Sequence, residues 1–265
     1  MDVLETISDW PCANAAATAI MPDGTQHTFG DIDRRFALAS VTKLLTATAL
    51  LIGAEEGSVD LDATVANEDG TLSDLLAHAS GLGPDGTRLD SPGRRRVYSN
   101  AGYEQAAEVL ELAAEIPFAD YLREAVFEPL RMTSTSLDGS PAHGATSTVG
   151  DLSRFLTGVD TLLAAETVSR MVTPHLAELS GVLPGYGRQA PNPWGLGPEI
   201  RGIKSPHWTS PRNSSATWGH FGQAGTFVWT DPAVQISLVV LTDHAFGNWA
   251  LERWPDLSTA VLQSV

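Results

Sequence analysis

Short apolar runs bounded by turn residues lie near both ends of the chain, and this pattern predicts strands. The runs cover residues 13–21, 25–29, 226–230 and 234–242. The first two are separated by Pro22-Asp23-Gly24, which predicts a hairpin. The run 234–242 is nearly all apolar, which indicates a central strand covered on both faces.

The middle of the chain has the 3.6-residue period of amphipathic helices instead. The clearest segment is 100–116, where apolar residues recur every three or four positions from Ala106 to Ala113. The other predicted helices cover 72–79, 117–128, 147–163, 166–172 and 248–262. Strands at both ends with helices between them predict an α/β (α+β) fold.

The economical arrangement of these elements is an antiparallel sheet built from both chain ends and flanked by helices, with an inserted, mostly helical subdomain. We expect one domain over residues 1–265. Its sheet subdomain is predicted at about 1–55 and 190–265, and its helical subdomain at about 56–189. The Pro- and Gly-rich region 174–218 is predicted to be an active-site wall, with a strand within 194–201.

Composition excludes several function classes. Hydrophobic residues make up 43% and charged residues 18% of the 265 positions, as in folded globular proteins. The formal net charge of -16 disfavours nucleic acid and anionic membranes as partners. The N-terminus has no signal-peptide pattern and no apolar run reaches transmembrane length, so we expect a cytoplasmic protein. A chain from which a signal peptide had been removed would look the same.

The stretch 36–51, F-A-L-A-S-V-T-K-L-L-T-A-T-A-L-L, carries the candidate chemistry. Ser40 and Lys43 are three residues apart, so on a helix they share one face. A serine at a helix start lies among unpaired N–H groups that can stabilise an oxyanion. A buried, neutral lysine one turn later can take its proton. The alternative is a capping serine followed by a surface lysine, because S-x-x-K arises by chance about once in a chain of this length.

Three further motifs strengthen the first interpretation. Tyr98-Ser99-Asn100 precedes a predicted helix, His220-Phe221-Gly222 lies at a predicted strand edge, and residues 75–82 read L-L-A-H-A-S-G-L. With S-V-T-K, Y-S-N and H-F-G in this order, the chain resembles the serine β-lactamase-like superfamily. That superfamily includes class C β-lactamases, D-alanyl-D-alanine carboxypeptidases and family VIII esterases.

The resemblance implies a catalytic role for three of these residues. Ser40 would be the nucleophile that is acylated, and Lys43 would keep its proton mobile. Tyr98 would be a general base for attack and the acid toward the leaving group. Whether Lys43 or Tyr98 is the base stays open at this point, because a tyrosine near its usual pKa of about 10 needs a nearby cation to act as one.

The resemblance also implies a set of substrate-binding residues. Asn100 would donate to the substrate carbonyl and hold Lys43. The backbone N–H groups of Ser40 and Gln223, the latter following Gly222, would form the oxyanion hole. His220 stands where the lactamase motif has lysine, and it could bind a substrate oxygen or carboxylate or support Tyr98.

We therefore expect a serine hydrolase that forms an acyl-enzyme on Ser40, first of all a carboxylesterase on small esters. A D-amino-acid peptidase or amidase, or a weak β-lactamase, is the alternative among enzymes. A non-catalytic binding protein on the same fold is the alternative of another class. The substrate is expected to be a small ester, amide or lactam, with no cofactor, no nucleic acid and no membrane partner. The oligomeric state stays open.

Several other residues have structural interpretations. His78 is expected to be structural, and no histidine has metal-ligand spacing, so no metal is predicted. The Arg94–Arg96 run either attracts an anionic substrate or, as we expect, is a solvated loop. The tryptophans Trp194, Trp208 and Trp218 either line the pocket or pack the loop.

Overall fold

The structure, a computed structural model, describes residues 2–65 and 70–264. The described strands are β1 (Ala15–Ile20), β2 (Gln26–Phe29), β3 (Phe36–Ala37), β4 (Ser136–Leu137), β5 (Ala145–Ser147), β6 (Gly181–Leu183), β7 (Gly187–Gln189), β8 (Glu199–Ile200), β9 (Trp218–Gly222), β10 (Thr226–Asp231) and β11 (Ile236–Thr242). The described α-helices are α1 (Thr42–Glu55), α2 (Leu72–Leu76), α3 (Asn100–Ala114), α4 (Phe118–Leu122), α5 (Val149–Leu162), α6 (Ala165–Val172) and α7 (Asn248–Gln263).

The main sheet is antiparallel and has the order β2-β1-β11-β10-β9-β8. The N-terminal strand β1 pairs with the C-terminal strand β11, from Ala15 opposite Thr242 to Ile20 opposite Ser237. This pairing confirms the predicted sheet built from both chain ends. The apolar strand β11 is central, because β1 and β10 flank it on either side.

Helix α1 is buried on every side rather than along one stripe. All residues from Thr42 to Gly53 are buried, which agrees with a sequence that is apolar or small almost all round the helix. Its partners include α3, and a Cβ added at Gly53 would lie only 2.6 Å from Leu110 Cδ1. A helix enclosed to this degree is a rigid support for side chains at its N-terminal end.

The region 174–218 contains more regular structure than the sequence predicted. It holds the hairpin β6–β7 and the two-residue strand β8, and the latter lies within the predicted range 194–201. The His220-Phe221-Gly222 motif belongs to β9, which is not an edge strand because it pairs with both β10 and β8. The predicted helix 72–79 is shorter, since α2 ends at Leu76 and His78 adopts a left-handed conformation with φ of 57°.

The interpretation of Arg94–Arg96 as a solvated run is wrong for its last member. Arg96 is only 2% exposed, and its guanidinium donates to four backbone carbonyls. These carbonyls belong to Ala77, His175, Leu176 and Asn192. Carbonyl oxygens can satisfy the five N–H donors of a buried guanidinium without a carboxylate partner. Arg96 thereby joins the end of α2 to the wall region of 175–192.

Candidate active site

Ser40 lies in a 3₁₀ turn, Ala39–Val41, that leads directly into α1. Ala39 has a φ of 46°, a conformation that non-glycine residues rarely adopt and that is enriched at active sites. The end of β9 packs closely against this turn. A Cβ at Gly222 would lie 2.3 Å from the Leu38 carbonyl oxygen and 3.0 Å from Ala39 Cβ. Only glycine therefore fits at the third position of the H-F-G motif.

The Lys43 side chain is completely buried and has three partners. Its Nζ lies 3.4 Å from Ser40 Oγ, 2.7 Å from Asn100 Oδ1 and 2.9 Å from the Ala142 carbonyl oxygen. Burial lowers the pKa of Lys43 to about 7, and the charge of Glu104 opposes this shift. Near neutral pH this amine can therefore exist without its proton while it stays directed at the serine hydroxyl.

Burial moves the pKa of Tyr98 in the opposite direction from that of Lys43. Burial raises the pKa of the Tyr98 phenol, and a hydrogen bond with Ser40 opposes the rise. The His78 ring lies against it with a centroid distance of 4.4 Å, and His78 Nδ1 accepts the Ser99 backbone N–H at 3.1 Å. Tyr98 thus keeps its proton at neutral pH, in a position fixed by its neighbours.

Asn100 begins α3, and the preceding residue explains why the helix starts there. Ser99 is the N-cap, and its hydroxyl accepts from the Gly102 backbone N–H at 2.9 Å. The Asn100 side chain therefore projects from the first turn of a well-defined helix. Its Oδ1 accepts from Lys43, which leaves the amide nitrogen able to donate elsewhere.

His220 is neutral and its tautomer is fixed. Its Nδ1 donates to the Phe221 carbonyl oxygen at 2.7 Å, so Nε2 carries a lone pair. Burial lowers the pKa of His220 to about 3, and the nearby Lys43 charge adds to this effect. Among the described residues Nε2 has no hydrogen-bond partner. His220 therefore offers an acceptor and no positive charge.

A small cavity of about 40 Å³ lies beside the serine. Its lining residues are Ser40, Tyr98, Leu183, Pro184, Trp194, His220, Phe221 and Gln223. Of the residues predicted from the sequence, Lys43 and Asn100 do not line the cavity; Lys43 Nζ lies 3.4 Å from Ser40 Oγ, and Asn100 is bonded to Lys43. Gly222 contacts the Ser40 turn instead. All seven predicted residues thus belong to one place in the fold.

Sequence reasoning missed part of this cavity. Leu183 and Pro184, from the β6–β7 hairpin, form one wall, and the Ala142 carbonyl holds Lys43 from another loop. A main-chain carbonyl leaves no trace in the side-chain pattern, so no sequence signal could have identified Ala142. Of the three candidate tryptophans, Trp194 lines the cavity, whereas Trp208 packs against Phe227 in the core. Trp218 is a buried residue of β9.

Residues 2–65 and 70–264 lack two kinds of feature. No group of three or more His, Cys, Asp or Glu side chains in this part of the chain could hold a metal ion. None of its helices is both long enough and apolar enough to cross a membrane.

Comparison with known proteins places this arrangement in a family. The Beta-lactamase family model matches residues 13–263. The crystal structure of a beta-lactamase from Mycobacterium bovis has a TM-score of 0.95 and 48% identity, over 99% of this chain and 98% of that one. A simvastatin synthase mutant from Aspergillus terreus has a TM-score of 0.79 at 18% identity, over 98% of this chain and 92% of that one, and shares the fold.

A curated relative, protein flp of Staphylococcus aureus, is 27% identical over 138 residues. This match spans 38% of the present chain and only 28% of the length of that relative. The family model, by contrast, extends over nearly the whole chain and includes the Ser40, Tyr98 and His220 motifs. The chain therefore belongs to the beta-lactamase family, within the serine β-lactamase-like superfamily.

Proposed function

We propose that this protein is a serine hydrolase that acts on small esters through an acyl-enzyme at Ser40. The observation that carries the proposal is the state of Lys43. A buried amine with a pKa of about 7 lies 3.4 Å from the serine hydroxyl, which is the arrangement that an activated serine requires. A lysine at its usual pKa of about 10.4 would stay charged and could not accept the proton.

In acylation, neutral Lys43 takes the Ser40 proton as the serine oxygen forms a bond to the substrate carbonyl carbon. The carbonyl oxygen becomes an oxyanion, and the backbone N–H groups of Ser40 and Gln223 stabilise it. Asn100, whose Oδ1 holds Lys43, donates to the substrate through its amide nitrogen. These are the roles that the family resemblance assigns to the residues.

Tyr98 acts as the acid in the second half of this step. Its raised pKa keeps the phenol protonated, so it can give a proton to the leaving alkoxide as the ester bond breaks. The proton taken by Lys43 then restores the Tyr98 phenol; Lys43 Nζ lies 4.8 Å from the centre of the Tyr98 ring. In deacylation water replaces the alcohol, and the same groups work in reverse.

Two features of the cavity favour an ester over a β-lactam. The third motif supplies a neutral histidine, so it offers no cation to the carboxylate that β-lactams carry. Leu183, Trp194 and Phe221 make the lining apolar and narrow, which suits a small uncharged acyl group.

A β-lactamase activity is the second candidate. It is favoured by the 48% identity to the chain from Mycobacterium bovis that carries the name beta-lactamase. A D-amino-acid peptidase or amidase would use the same Ser40 chemistry. A non-catalytic binding protein would require that an intact serine–lysine–tyrosine set performs no turnover.

The test compares p-nitrophenyl esters, nitrocefin and D-alanyl peptides on the purified protein, together with labelling by a fluorophosphonate. We expect the highest kcat/KM with short esters and a covalent adduct on Ser40, located by mass spectrometry. Ser40→Ala is the matched control and should abolish both signals. Fast nitrocefin turnover with inert esters would reverse the order of the candidates, and an unlabelled Ser40 without any turnover would favour the binding protein.

A further inference from the structure

The sequence contains two lysines, and both are buried. Lys43 serves the site described above, whereas Lys204 has a different neighbourhood and is only 2% exposed. A buried ammonium is costly unless it is paired and hydrogen-bonded, so a lysine kept in such a place requires an explanation. Nothing in the proposed reaction uses Lys204.

Lys204 belongs to a buried polar cluster centred on the Glu199 carboxylate. That carboxylate accepts from Lys204 Nζ, from His207 Nε2 at 2.9 Å and from Trp208 Nε1. These cationic and donor groups hold the pKa of Glu199 at about 2 against the opposing effect of burial. Glu199 is therefore charged, and burial lowers the pKa of Lys204 only to about 8, so at neutral pH the Lys204–Glu199 pair is an ion pair closed off from water.

The cluster is directly connected to the wall of the active-site cavity. Glu199 is the backbone bridge partner of Trp194, so the two residues face each other across a short turn. Lys204 Nζ also donates to the Pro193 carbonyl oxygen at 3.0 Å and lies 5.8 Å from the Trp194 ring centre. Lys204 thus binds both sides of the turn that carries Trp194, through the Pro193 carbonyl on one side and the Glu199 carboxylate on the other.

The opposite side of this turn rests on α1. Gly197, at the tip, has a φ of 115°, and a Cβ there would lie 2.5 Å from Ala47 Cβ. Trp194 itself is 2% exposed, and its ring contacts those of His78, Tyr98 and His220 with centroid distances of 4.6, 5.9 and 5.5 Å. The Trp194 indole is therefore packed between the buried Glu199 cluster on one side and Tyr98 and His220 on the other.

We propose that Lys204 is a positioning residue that sets the size of the acyl group the enzyme accepts. By holding Glu199 and the Pro193 carbonyl together, it fixes Trp194 as the rigid end of the cavity beside Ser40. The inference rests on the proposed function, because it concerns the acyl group that Ser40 receives. Loosening the turn lets the indole move and gives longer acyl chains room.

The experiment uses Lys204→Met and a series of p-nitrophenyl esters from acetate to octanoate. The wild type should prefer the shortest chains. In Lys204→Met the ratio of kcat/KM for hexanoate over acetate should rise roughly tenfold, the lower end of what one methylene group is worth in a tight pocket. Arg212→Met removes an exposed charge from the same region and should leave the ratio unchanged.

If Lys204 acts through Trp194, a second and independent result is expected. Trp194→Phe shortens the wall itself, so it should raise the same ratio. The double variant should equal Trp194→Phe instead of adding the two effects, because residues that act as one unit are not additive. Near-ultraviolet circular dichroism checks that each variant is folded. Trp194→Phe also tests the wall if Lys204→Met does not fold.

Labelling of Ser40 by alkyl fluorophosphonates of two chain lengths gives the same ratio without turnover. If a folded Lys204→Met slows all chain lengths equally, Lys204 is merely structural and the inference is wrong. If Trp194→Phe leaves the ratio unchanged, Trp194 is not the wall and the inference is wrong as well. If Ser40 of the wild type is not labelled and the wild type turns over no ester, the proposed function is wrong, and the inference that rests on it is wrong as well.

Discussion

Lys43 Nζ lies 4.8 Å from the centre of the Tyr98 ring, and burial moves the pKa values of these two residues in opposite directions. For an amine the charged form is the protonated one, whereas for a phenol it is the deprotonated one. The same exclusion of water therefore produces a neutral amine and a neutral phenol. This favours Lys43 as the base and Tyr98 as the acid, a choice that the sequence left open.

The rate of acylation should depend on pH through Lys43. Below a pH of about 7 the side chain is an ammonium and cannot accept the Ser40 proton, and above it the amine is free. We expect the rate to rise with pH and level off above an apparent pKa near 7, which belongs to the Lys43–Tyr98 pair. The measurement is the rate of Ser40 labelling by a fluorophosphonate between pH 5 and 9. A flat profile over this range would rule out proton transfer to Lys43.

The residues of the sequence motifs could be placed in the fold from the sequence because they are tied to local structure. Ser40 and Lys43 are one turn apart at the start of α1, and Ser99 is the cap that starts α3 beside Asn100. Short-range geometry of this kind follows from sequence spacing. The sheet was predictable for a similar reason, since an apolar run such as β11 fits only a covered, central position.

The walls of the site were not predictable, because they depend on contacts between distant segments. The buried guanidinium of Arg96 donates to backbone carbonyls that lie up to 96 positions away in the sequence. An arginine within a run of polar residues gives no sign of such partners. Trp194 and Leu183 meet at the cavity only through the packing of a Pro- and Gly-rich region. The pKa of Lys43 likewise follows from its burial in the folded protein, which the S-x-x-K motif does not reveal.

Replacement of Lys43 should show whether its side chain acts as a base or only as a fixed positive charge. Lys43→Ala should lower kcat/KM by roughly 10² to 10⁴, the usual loss for an acid–base group. Lys43→Arg should be no better, because a guanidinium stays protonated and its planar fork does not fit between Asn100 Oδ1 and the Ala142 carbonyl. Steady-state kinetics with a short p-nitrophenyl ester provide the measurement. Near-normal acylation by Lys43→Arg would mean that the lysine acts only as a charge.

Gly222→Ala should disturb Ser40, the proposed nucleophile, without touching any of the side chains proposed to be catalytic. The new methyl group would lie 2.3 Å from the Leu38 carbonyl oxygen, so the Ser40 turn must shift. Since small misplacements of reacting groups are costly, kcat/KM should fall by roughly 10²-fold. Gly150→Ala is the control, because its Cβ would have no neighbour closer than 3.6 Å. Equal activity of the two variants would show that β9 does not position the turn.

The buried Glu199–Lys204 pair should matter for stability as well. Glu199→Gln leaves Lys204 as an unpaired buried cation, which typically costs about 3–5 kcal/mol of unfolding free energy. Asp138→Asn, at a side chain that is 70% exposed and 3.9 Å from Arg35, should cost less than about 1 kcal/mol. Urea unfolding of both variants measures the difference. Because the folded pKa of Glu199 is about 2, below its unfolded value, the stabilisation is present above pH 4 and is lost as the pH falls toward 2.

His220 should decide whether the enzyme tolerates a negatively charged substrate. Its Nδ1 is committed to the Phe221 carbonyl, and its pKa of about 3 keeps it neutral throughout the range of ordinary assays. A substrate carboxylate near it would lose water and gain no cation in return, which is unfavourable in a narrow cavity. We therefore expect a p-nitrophenyl ester of succinate to be a poorer substrate than the uncharged butyrate ester, at every pH between 6 and 9.

His220→Lys supplies the missing cation and should narrow or reverse this preference, by roughly tenfold or more in the ratio of kcat/KM values. The same variant should gain activity toward nitrocefin, which also carries a carboxylate. His220→Phe is the matched control, because it removes the imidazole acceptor and keeps an aromatic ring, so it should not improve the succinate ester. If the wild type already prefers the succinate ester, His220 does not exclude carboxylates, and the argument for small neutral esters loses its electrostatic basis.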